Sequence, residues 1–516
     1  MSKLYIPACS FRSLYIIVVI LIGLNTTTLA QSITYYVDSA TGNDAHAGTS
    51  WGTAFRNVTK AVAVANTSTT AEVDIWITKG TYTPIDGITS LPADHKDTSF
   101  TLYRGNGVAK ALKIYGGFAG TETSTAMRDT ANHTYLDATI GSSLYSYHVV
   151  VIAGQSPGAD SLVLDGLTIR NAVTAGTTAK LYNAAVVLPN SGGGIYFAHD
   201  TSATLICRNC TIINNRANAG GGIYSSSADF TLLNCNIVAN ANTGGWSGGG
   251  GMYDSSSSPL VNACNFNSNS VSASDNSYGG AIFNHGSSPV IRNSNFQSNS
   301  VYTSGADMGA ATYGGAIYND ATSLPVIDSC NFISNLANGC GGGGCDAYGG
   351  AIDNQSSSCV ISNCTFSHNS CCSVYQPDDL YIGGHAYGGA IYNQACSPVI
   401  THSSFTMNAA HGYAQMGSSF SFSTTGNGYG YGGGISNQAA SPVISYCTFT
   451  ADTAYGYYSD MGDYGFGYGG GVYNNASATV LSNCKFSNEA ALGNYWVGYY
   501  KAYGGAVCSE GGVQLL

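Results

Sequence analysis

Two short hydrophobic motifs alternate along the later part of the chain. From residue 192 onward a Gly-Gly-small-apolar motif places its apolar residue at Ile195, Ile223, Met252, Ile282, Ile317, Ile352, Ile391, Ile435, Val472 and Val507. A second motif, (Cys/Ser)-x-(Phe/Ile)-x-x-Asn, places its own at Ile212, Ile237, Phe266, Phe296, Phe332, Phe366, Phe405, Phe449 and Phe486. The step from first to second motif is 14 residues in most units, with single values of 15 and 17, whereas the step to the next first motif ranges from 11 to 30. One half of each unit is thus nearly fixed and the other absorbs every length change. Rigid strands that stack, and release a loop always at the same corner, give this pattern; it predicts a solenoid. The fixed half, as in Pro289-Val290-Ile291-Arg292-Asn293-Ser294-Asn295-Phe296, shows short β-type runs between turn residues and no 3.6-residue period. Pro259, Pro289, Pro325, Pro398 and Pro442 stand just before an apolar pair, a place proline tolerates only at a strand's start. Each unit is therefore predicted to be one rung of an all-β parallel β-helix, with rungs about 4.8 Å apart.

Stacking turns sequence positions into columns. Asn follows the first motif by two residues at Asn284, Asn319, Asn354, Asn393, Asn437 and Asn474, and the second by three at Asn215, Asn240, Asn269, Asn299, Asn335, Asn369 and Asn408. Asn accepts bend conformations and its amide can bond along a stack, so both columns read as structural ladders. Cys210, Cys235, Cys264, Cys330, Cys364, Cys447 and Cys484 form a column predicted to point inward as small hydrophobes, with Ser294 and Ser403 filling gaps. Cys340/Cys345 and Cys371/Cys372 fall in the variable loops, where a surface disulfide is an open alternative.

The beginning of the chain reads differently. Residues 1–30 carry Lys3 and Arg12, an apolar run over 14–24 and a polar stretch ending Thr28-Leu29-Ala30, the layout of a secretory signal peptide. Residues 31–190 predict a cap and the first rungs. Phe55, Val58, Val62 and Ala65 lie on one face of a short helix that would cover the open rung edges, and strands follow over 72–78, 112–115, 148–152 and 162–169. Residues 191–516 hold the repeats, and the next second-motif residue falls due after Leu516, so the record is expected to stop inside a rung.

Composition narrows the function. Charged residues make up 9% of the chain, against about 25% in typical soluble domains, while glycine contributes 67 residues and tyrosine 37. Charged helices are excluded for want of side chains to clothe them. With 17 Lys plus Arg and a net charge of −11, nucleic acid is excluded as a partner.

A resemblance now has its residues. Tyr36-Val37-Asp38, Gly42-Asn43-Asp44, Trp51-Gly52-Thr53-Ala54-Phe55, Ile75-Trp76-Ile77-Thr78-Lys79-Gly80-Thr81-Tyr82, Ile114-Tyr115-Gly116-Gly117-Phe118 and Leu164-Asp165-Gly166-Leu167-Thr168-Ile169 resemble the N-terminal region of secreted bacterial right-handed parallel β-helix proteins. The Gly-Gly-Ala-Ile runs ending at Ile282, Ile317, Ile352 and Ile391, alternating with Phe-x-x-Asn, resemble the repeats of the polymorphic outer membrane protein family. The resemblance implies a right-handed β-helix at the cell surface or outside the cell, often adhesive, with glycans or surface proteins as partners. It also implies outer-membrane association through a C-terminal device that the sequence does not display.

Candidate chemistry is sparse. Asp254 and Asp353, both read as lying in the first Asn column but three rungs apart, are about 14 Å from each other, too far for a glycosidase pair at about 5–9.5 Å. Asp452 and Glu489 replace Asn in the second column on successive rungs, about 5 Å apart, with Lys485 near; they are the catalytic candidates. His285, His368, His402 and His411 lack metal-ligand spacing, and neither a metal nor a cofactor is predicted. Tyr278, Tyr313, Tyr348, Tyr387, Tyr431, Tyr468 and Tyr503, each just before the paired glycines, form the candidate binding column, a stiffening stack or a platform for sugars or proteins. The expectation is an exported, non-catalytic β-helix presenting a loop-rich face for adhesion; the alternative is a polysaccharide lyase or hydrolase on the same scaffold.

Overall fold

In the computed structural model the chain is a right-handed parallel β-helix. The structure describes residues 32–515 apart from 89–93, 103–110, 155–160, 175, 177, 183–184, 199–203, 245–246, 304–309, 341–344, 375–383, 415–426, 459–464, 494–501 and 512. The signal-peptide segment and the aromatic run Tyr495-Trp496…Tyr499-Tyr500 lie outside the described residues.

One rung shows the construction. Ile282–His285 belongs to a 12-stranded sheet (sheet III), Val290–Arg292 to a 14-stranded sheet (sheet I) and Asn295–Gln297 to a second 12-stranded sheet (sheet II). The chain continues into Ser300–Thr303 of a nine-stranded sheet (sheet IV), leaves in the variable loop, and returns through Thr312–Tyr313 of an eight-stranded sheet (sheet V). It then re-enters sheet III at Ile317–Asn319. Every variable loop leaves between sheets IV and V, which is why one interval in each unit is free while the other is held near 14 residues.

Alternation within three-residue strands decides what faces inward. Ile282 stands directly beside Ile317, and Ile317 beside Ile352. Phe266, Phe296, Phe332, Phe366, Phe405 and Phe449 stack in the interior with ring centroids 4.6–4.9 Å apart. With Ile291, Ile327, Ile361, Ile400 and Ile444 of sheet I these columns form one continuous core. A smaller core of Val271, Val301, Ala337, Cys371, Ala386 and Ala410 lies between sheets IV and V.

The corners are left-handed residues. Asn293 (φ 50) turns sheet I into sheet II, and Ser298 (φ 54) turns sheet II into sheet IV. Ala, Met and Tyr serve at equivalent corners, as Ala263, Met407 and Tyr446. The corner before sheet III takes only glycine from Gly192 to Gly504, because a Cβ on Gly314 would lie 2.1 Å from the Ile317 carbonyl oxygen. Its partner Gly315 is required for a different reason: a Cβ there would meet the Gly350 oxygen of the next rung at 2.1 Å.

At the N-terminus helix Val58–Thr67 buries Val58, Ala61, Val62 and Ala65 against strands Ser32–Val37, Glu72–Thr78 and Phe100–Thr101, covering the first rungs as expected. The stack then continues into the repeats, Ser161–Asp165 pairing in register with Thr204–Arg208, while Lys180–Tyr182 and Ala185–Val187 form a separate antiparallel pair.

Three details differ from the sequence reading. The strand expected over 162–169 is two strands on two sheets, Ser161–Asp165 and Leu167–Arg170, folded at Gly166 (φ 73). Cys371 and Cys372 lie in strand Ser370–Val374 instead of a loop, and they and Cys345 are free thiols, Cys345 and Cys371 buried. Asp353 is not in the first Asn column: Asn354 is, paired with Asn319, while Asp353 stands one residue earlier and on the opposite face, beside Tyr318 and Tyr392. One residue of offset exchanges the two faces of a strand, so Asp254 and Asp353 were never a pair.

Candidate functional site

The sequence-predicted carboxylates close an interior ladder. Asn299, Asn335, Asn369 and Asn408 are all fully buried at the corner between sheets II and IV. Each donates its Nδ2 to the next Oδ1, as Asn335 does to Asn369 at 2.9 Å, and also to a phenylalanine carbonyl, here Phe296 at 2.9 Å. Asp452 continues the series: its Oδ1 accepts from the backbone nitrogen of Asn408 at 2.7 Å and from Asn408 Nδ2 at 2.8 Å. The backbone nitrogen of Asp452 in turn donates to Glu489 Oε2 at 3.0 Å. Asp452 is fully buried, and burial pushes its carboxyl up to about 7. Burial, then the Asp452 charge, pushes Glu489 up to about 8. Lys485 points outward from sheet II in the column of Thr448. The two acids are adjacent as predicted, but they lie within the stack and a substrate has no access to Asp452.

The tyrosine column is a ladder in fact. From Tyr278 through Tyr313, Tyr348, Tyr387, Tyr431 and Tyr468 to Tyr503, successive rings stack at 4.8–5.1 Å. All are half-buried except Tyr503, which is exposed. Beside them runs the outer column of sheet III, including Tyr318, Tyr392 and Tyr473, which tilt against Tyr278, Tyr348 and Tyr431 at 4.7–4.9 Å. Asp353 is embedded in this slab, fully buried, with one carboxyl oxygen accepting from Gln355 Nε2 at 2.9 Å and the other unpaired. Burial holds its carboxyl far above the usual carboxylate range. The four histidines are dispersed. His285 pairs with Asp320, His368 with Ser367, His402 stacks on Tyr446 and His411 lies against Tyr455. Among the described residues no group of three or more His, Cys, Asp or Glu is gathered as metal ligands.

A polar groove that the sequence did not disclose lies where sheet I turns into sheet II near the N-terminal end, with a volume of about 410 Å³. Its floor is the outer face of sheet II, where Thr168, Thr211 and Asn236 stand in one register. That column continues as Asn265, Asn295, Asn331 and Thr365, each side chain donating to the one before at 2.6–2.9 Å. One wall comes from the segment containing Arg128, Asp129, Thr130, Asn132 and His133. The opposite edge is the left-handed corner itself, Gly166, Asn209 and Asn234.

Behind the wall an ion-pair set fixes the shape. Asp165 Oδ2 accepts from Arg128 Nη2 at 2.9 Å and from Arg208 Nε at 2.7 Å, and its Oδ1 accepts from Asn209 Nδ2 at 3.0 Å. Burial alone would raise the Asp165 carboxyl, but the bonds from Arg128, Asn209 and Arg208 outweigh it and hold it below the usual range. Arg128 also donates through Nε to the Thr125 oxygen and through Nη1 to the Gly116 and Asp165 oxygens, and its guanidinium lies 5.1 Å from the Tyr115 ring centroid. These groups are committed to structure. Asp129 and His133 are exposed on the groove wall, Asp129 Oδ1 accepting from the Ala131 nitrogen and the His133 ring lying 5.9 Å from that of Tyr135. The groove therefore offers a carboxylate and an imidazole beside a floor of hydroxyls and amides. The sequence reading placed Asp165-Gly166 inside one strand and did not single out Asn209, and the wall arrives from a separate segment that no periodicity announces.

No protein-family model matches the chain, and no curated protein matches it significantly. Among solved structures it is similar to pectate lyase Pel9A, at 15% identity and a TM-score of 0.36 over 72% of this chain and 77% of that one. It is similar to the catalytic domain of a GH87 α-1,3-glucanase in complex with nigerose, at 9% identity and a TM-score of 0.35 over 89% and 66%. A rhamnogalacturonan lyase aligns at 10% identity and a TM-score of 0.26 over 93% and 86%. At these values the likeness is one of fold. The expectation of a non-catalytic adhesive rod is corrected here: the named structures of this fold are polysaccharide lyases and a glycoside hydrolase, and the alternative reading stands closer to them.

Proposed function

We propose that the protein acts on a polysaccharide laid along the groove at the corner of sheets I and II. The observation that carries this reading is the groove's composition: Asp129 and His133 exposed on one wall, above a floor whose amides and hydroxyls repeat from rung to rung. A floor of Thr168, Thr211 and Asn236 in one register suits an extended, hydroxyl-rich polymer better than a compact ligand, since a polar group recurs at each rung. An exposed imidazole supports general acid–base transfer, the step that lyases and hydrolases share. Asp129 supplies the negative charge beside it. Arg128 and Arg208, tied to Asp165, keep the wall rigid, which such chemistry requires. Export through residues 1–30 belongs to the same proposal, because a polymer of this kind is met outside the cell.

The test is turnover on a panel of neutral and uronic-acid polysaccharides, reading both unsaturated and reducing ends; unsaturated ends report elimination, and reducing ends alone report hydrolysis. The wild-type chain is expected to release product from at least one polymer, and His133→Ala and Asp129→Asn each to lower the rate about 100-fold or more. Absence of product across the panel, or full activity in both variants, overturns the reading.

A further inference from the structure

The tyrosine ladder of sheet V stops three rungs short of the aromatic column beside it. Below Tyr278 every rung supplies a tyrosine; above it the register passes to Gly248, Ala219 and Ser191. The neighbouring outer column of sheet III keeps its aromatic residues there, as Tyr224, Tyr253 and Phe283. Small residues on one sheet next to large ones on the other leave a hollow of about 440 Å³, inside the range of about 300–1,000 Å³ usual for small-molecule sites. Phe283 has swung into part of the vacated position: a Cβ on Gly248 would lie 1.7 Å from its Cδ1, and its ring stands edge-on to Tyr253 at 5.0 Å and 77°. Tyr278, the last ring of the ladder, closes one end.

The rim is polar and organised. His285 Nδ1 pairs with Asp320 Oδ2, and Asp320 Oδ1 accepts from the Gly286 nitrogen at 2.9 Å and from Ser323 Oγ at 3.1 Å. The carboxylate is thereby fixed, and the His285 side chain is 54% exposed. Its ring lies 6.0 Å from that of Phe283 and 6.3 Å from that of Tyr253, so the polar rim and the aromatic wall border one space.

We infer that this hollow is a second saccharide-binding site, taking a sugar residue of a neutral glycan. A pyranose presents an apolar C–H face and a hydroxylated edge, which match an aromatic wall and an amphoteric rim. An organic cation would also find aromatic rings here, but the acid it needs is already paired with His285. The site lies on the face formed by sheets III and V, with no lining residue in common with the groove. It shares with the groove reading only the class of ligand and does not depend on turnover.

The test titrates the whole chain with linear gluco-, xylo-, manno- and galacto-configured tetrasaccharides, and with choline, following ligand signals by saturation-transfer NMR and affinity by calorimetry. At least one tetrasaccharide is expected to bind. Gly248→Tyr with Phe283→Ser extends the ladder by one ring and reproduces the Tyr387/Ser436 relation of a lower rung, so it fills the hollow and is expected to abolish binding. His285→Ala, at an exposed position, leaves the fold intact and is expected to weaken binding about tenfold. His133→Ala, in the groove, is expected to leave this binding unchanged even where it abolishes turnover. Absence of binding by every tetrasaccharide, binding by choline in their place, or undiminished affinity in both hollow variants overturns the inference.

Discussion

A buried amide in this stack is accounted for donor by donor. Asn335 receives two bonds on its Oδ1, from the backbone nitrogen of Asn299 at 3.1 Å and from Asn299 Nδ2 at 3.0 Å, and gives both Nδ2 hydrogens away. Alanine at this position strands two buried donors on Asn299 and an acceptor on Phe296, each a loss of about 1–3 kcal/mol when left unmade. Asn335→Ala is therefore expected to lower stability by about 3 kcal/mol or more, seen as a fall in Tm and faster proteolysis. Replacing Asn331, whose side chain belongs to the exposed amide ladder of sheet II, with alanine should change stability by less than about 1 kcal/mol. Equal effects of the two substitutions would show that the interior ladder is not what fixes this corner.

At the scale of the strand and its corners, glycine has two separate duties. The first of each pair adopts a left-handed φ and faces a carbonyl three residues on; the second faces the backbone of the next rung. Gly314→Ala must absorb both the left-handed cost of about 1–2 kcal/mol and a 2.1 Å approach to the Ile317 oxygen, so a loss above about 2 kcal/mol is expected. Ala395→Gly, at a corner where a Cβ is already accommodated at φ 50, should stay within about 1 kcal/mol. Hydrogen exchange across Ile317–Asn319 reads the first effect locally, and unchanged protection there would refute it. These corners also explain what the sequence made legible. The Ile282 and Phe296 columns were readable because each recurs at a fixed offset from a corner that cannot change length. Asp353 was misread because its neighbour Asn354 occupies the column and one step reverses the face. The fold at Gly166 was hidden because Asp165-Gly166 joins two apolar runs that read as one strand. The groove was hidden because Asp129 and His133 reach it from a segment with no repeat, and the hollow above Tyr278, although written as Gly248, Ala219 and Ser191 in place of tyrosine, has meaning only beside Tyr253 and Phe283.

Over the whole molecule the buried acids set a direction for pH. Asp254 is pushed up to about 8 by burial inside sheet III, Asp452 to about 7 and Glu489 to about 8 in the interior ladder, and Asp353 is raised beneath the tyrosine slab. A carboxyl whose folded pKa lies above its unfolded value holds its proton more tightly in the folded chain. Its stabilisation is complete below the unfolded value, about 4, and is lost as pH rises through the folded one. For Asp254, Asp452 and Glu489 that window runs from about pH 4 to about pH 8. Asp137 and Asp165 act oppositely: burial would raise them, but hydrogen bonds to Thr139, Asn171 and Arg170, and to Arg128, Asn209 and Arg208, lower them, so their contribution is lost only as pH falls below about 4. The two groups together place the stability maximum in mildly acid solution, near about pH 4–5, and a declining limb through neutrality. The Tm is expected to be higher at about pH 5 than at about pH 8, and Asp452→Asn with Glu489→Gln, which return the second column to amides, should make that limb shallower, the share of Asp254 and Asp353 remaining, while leaving the acid side unchanged. Calorimetric scans across this range decide it: a Tm that is flat or rises from about pH 5 to about pH 8 would mean that these carboxyls are ionised within the stack at no cost, and the account of the ladder's end at Asp452 would fail with them.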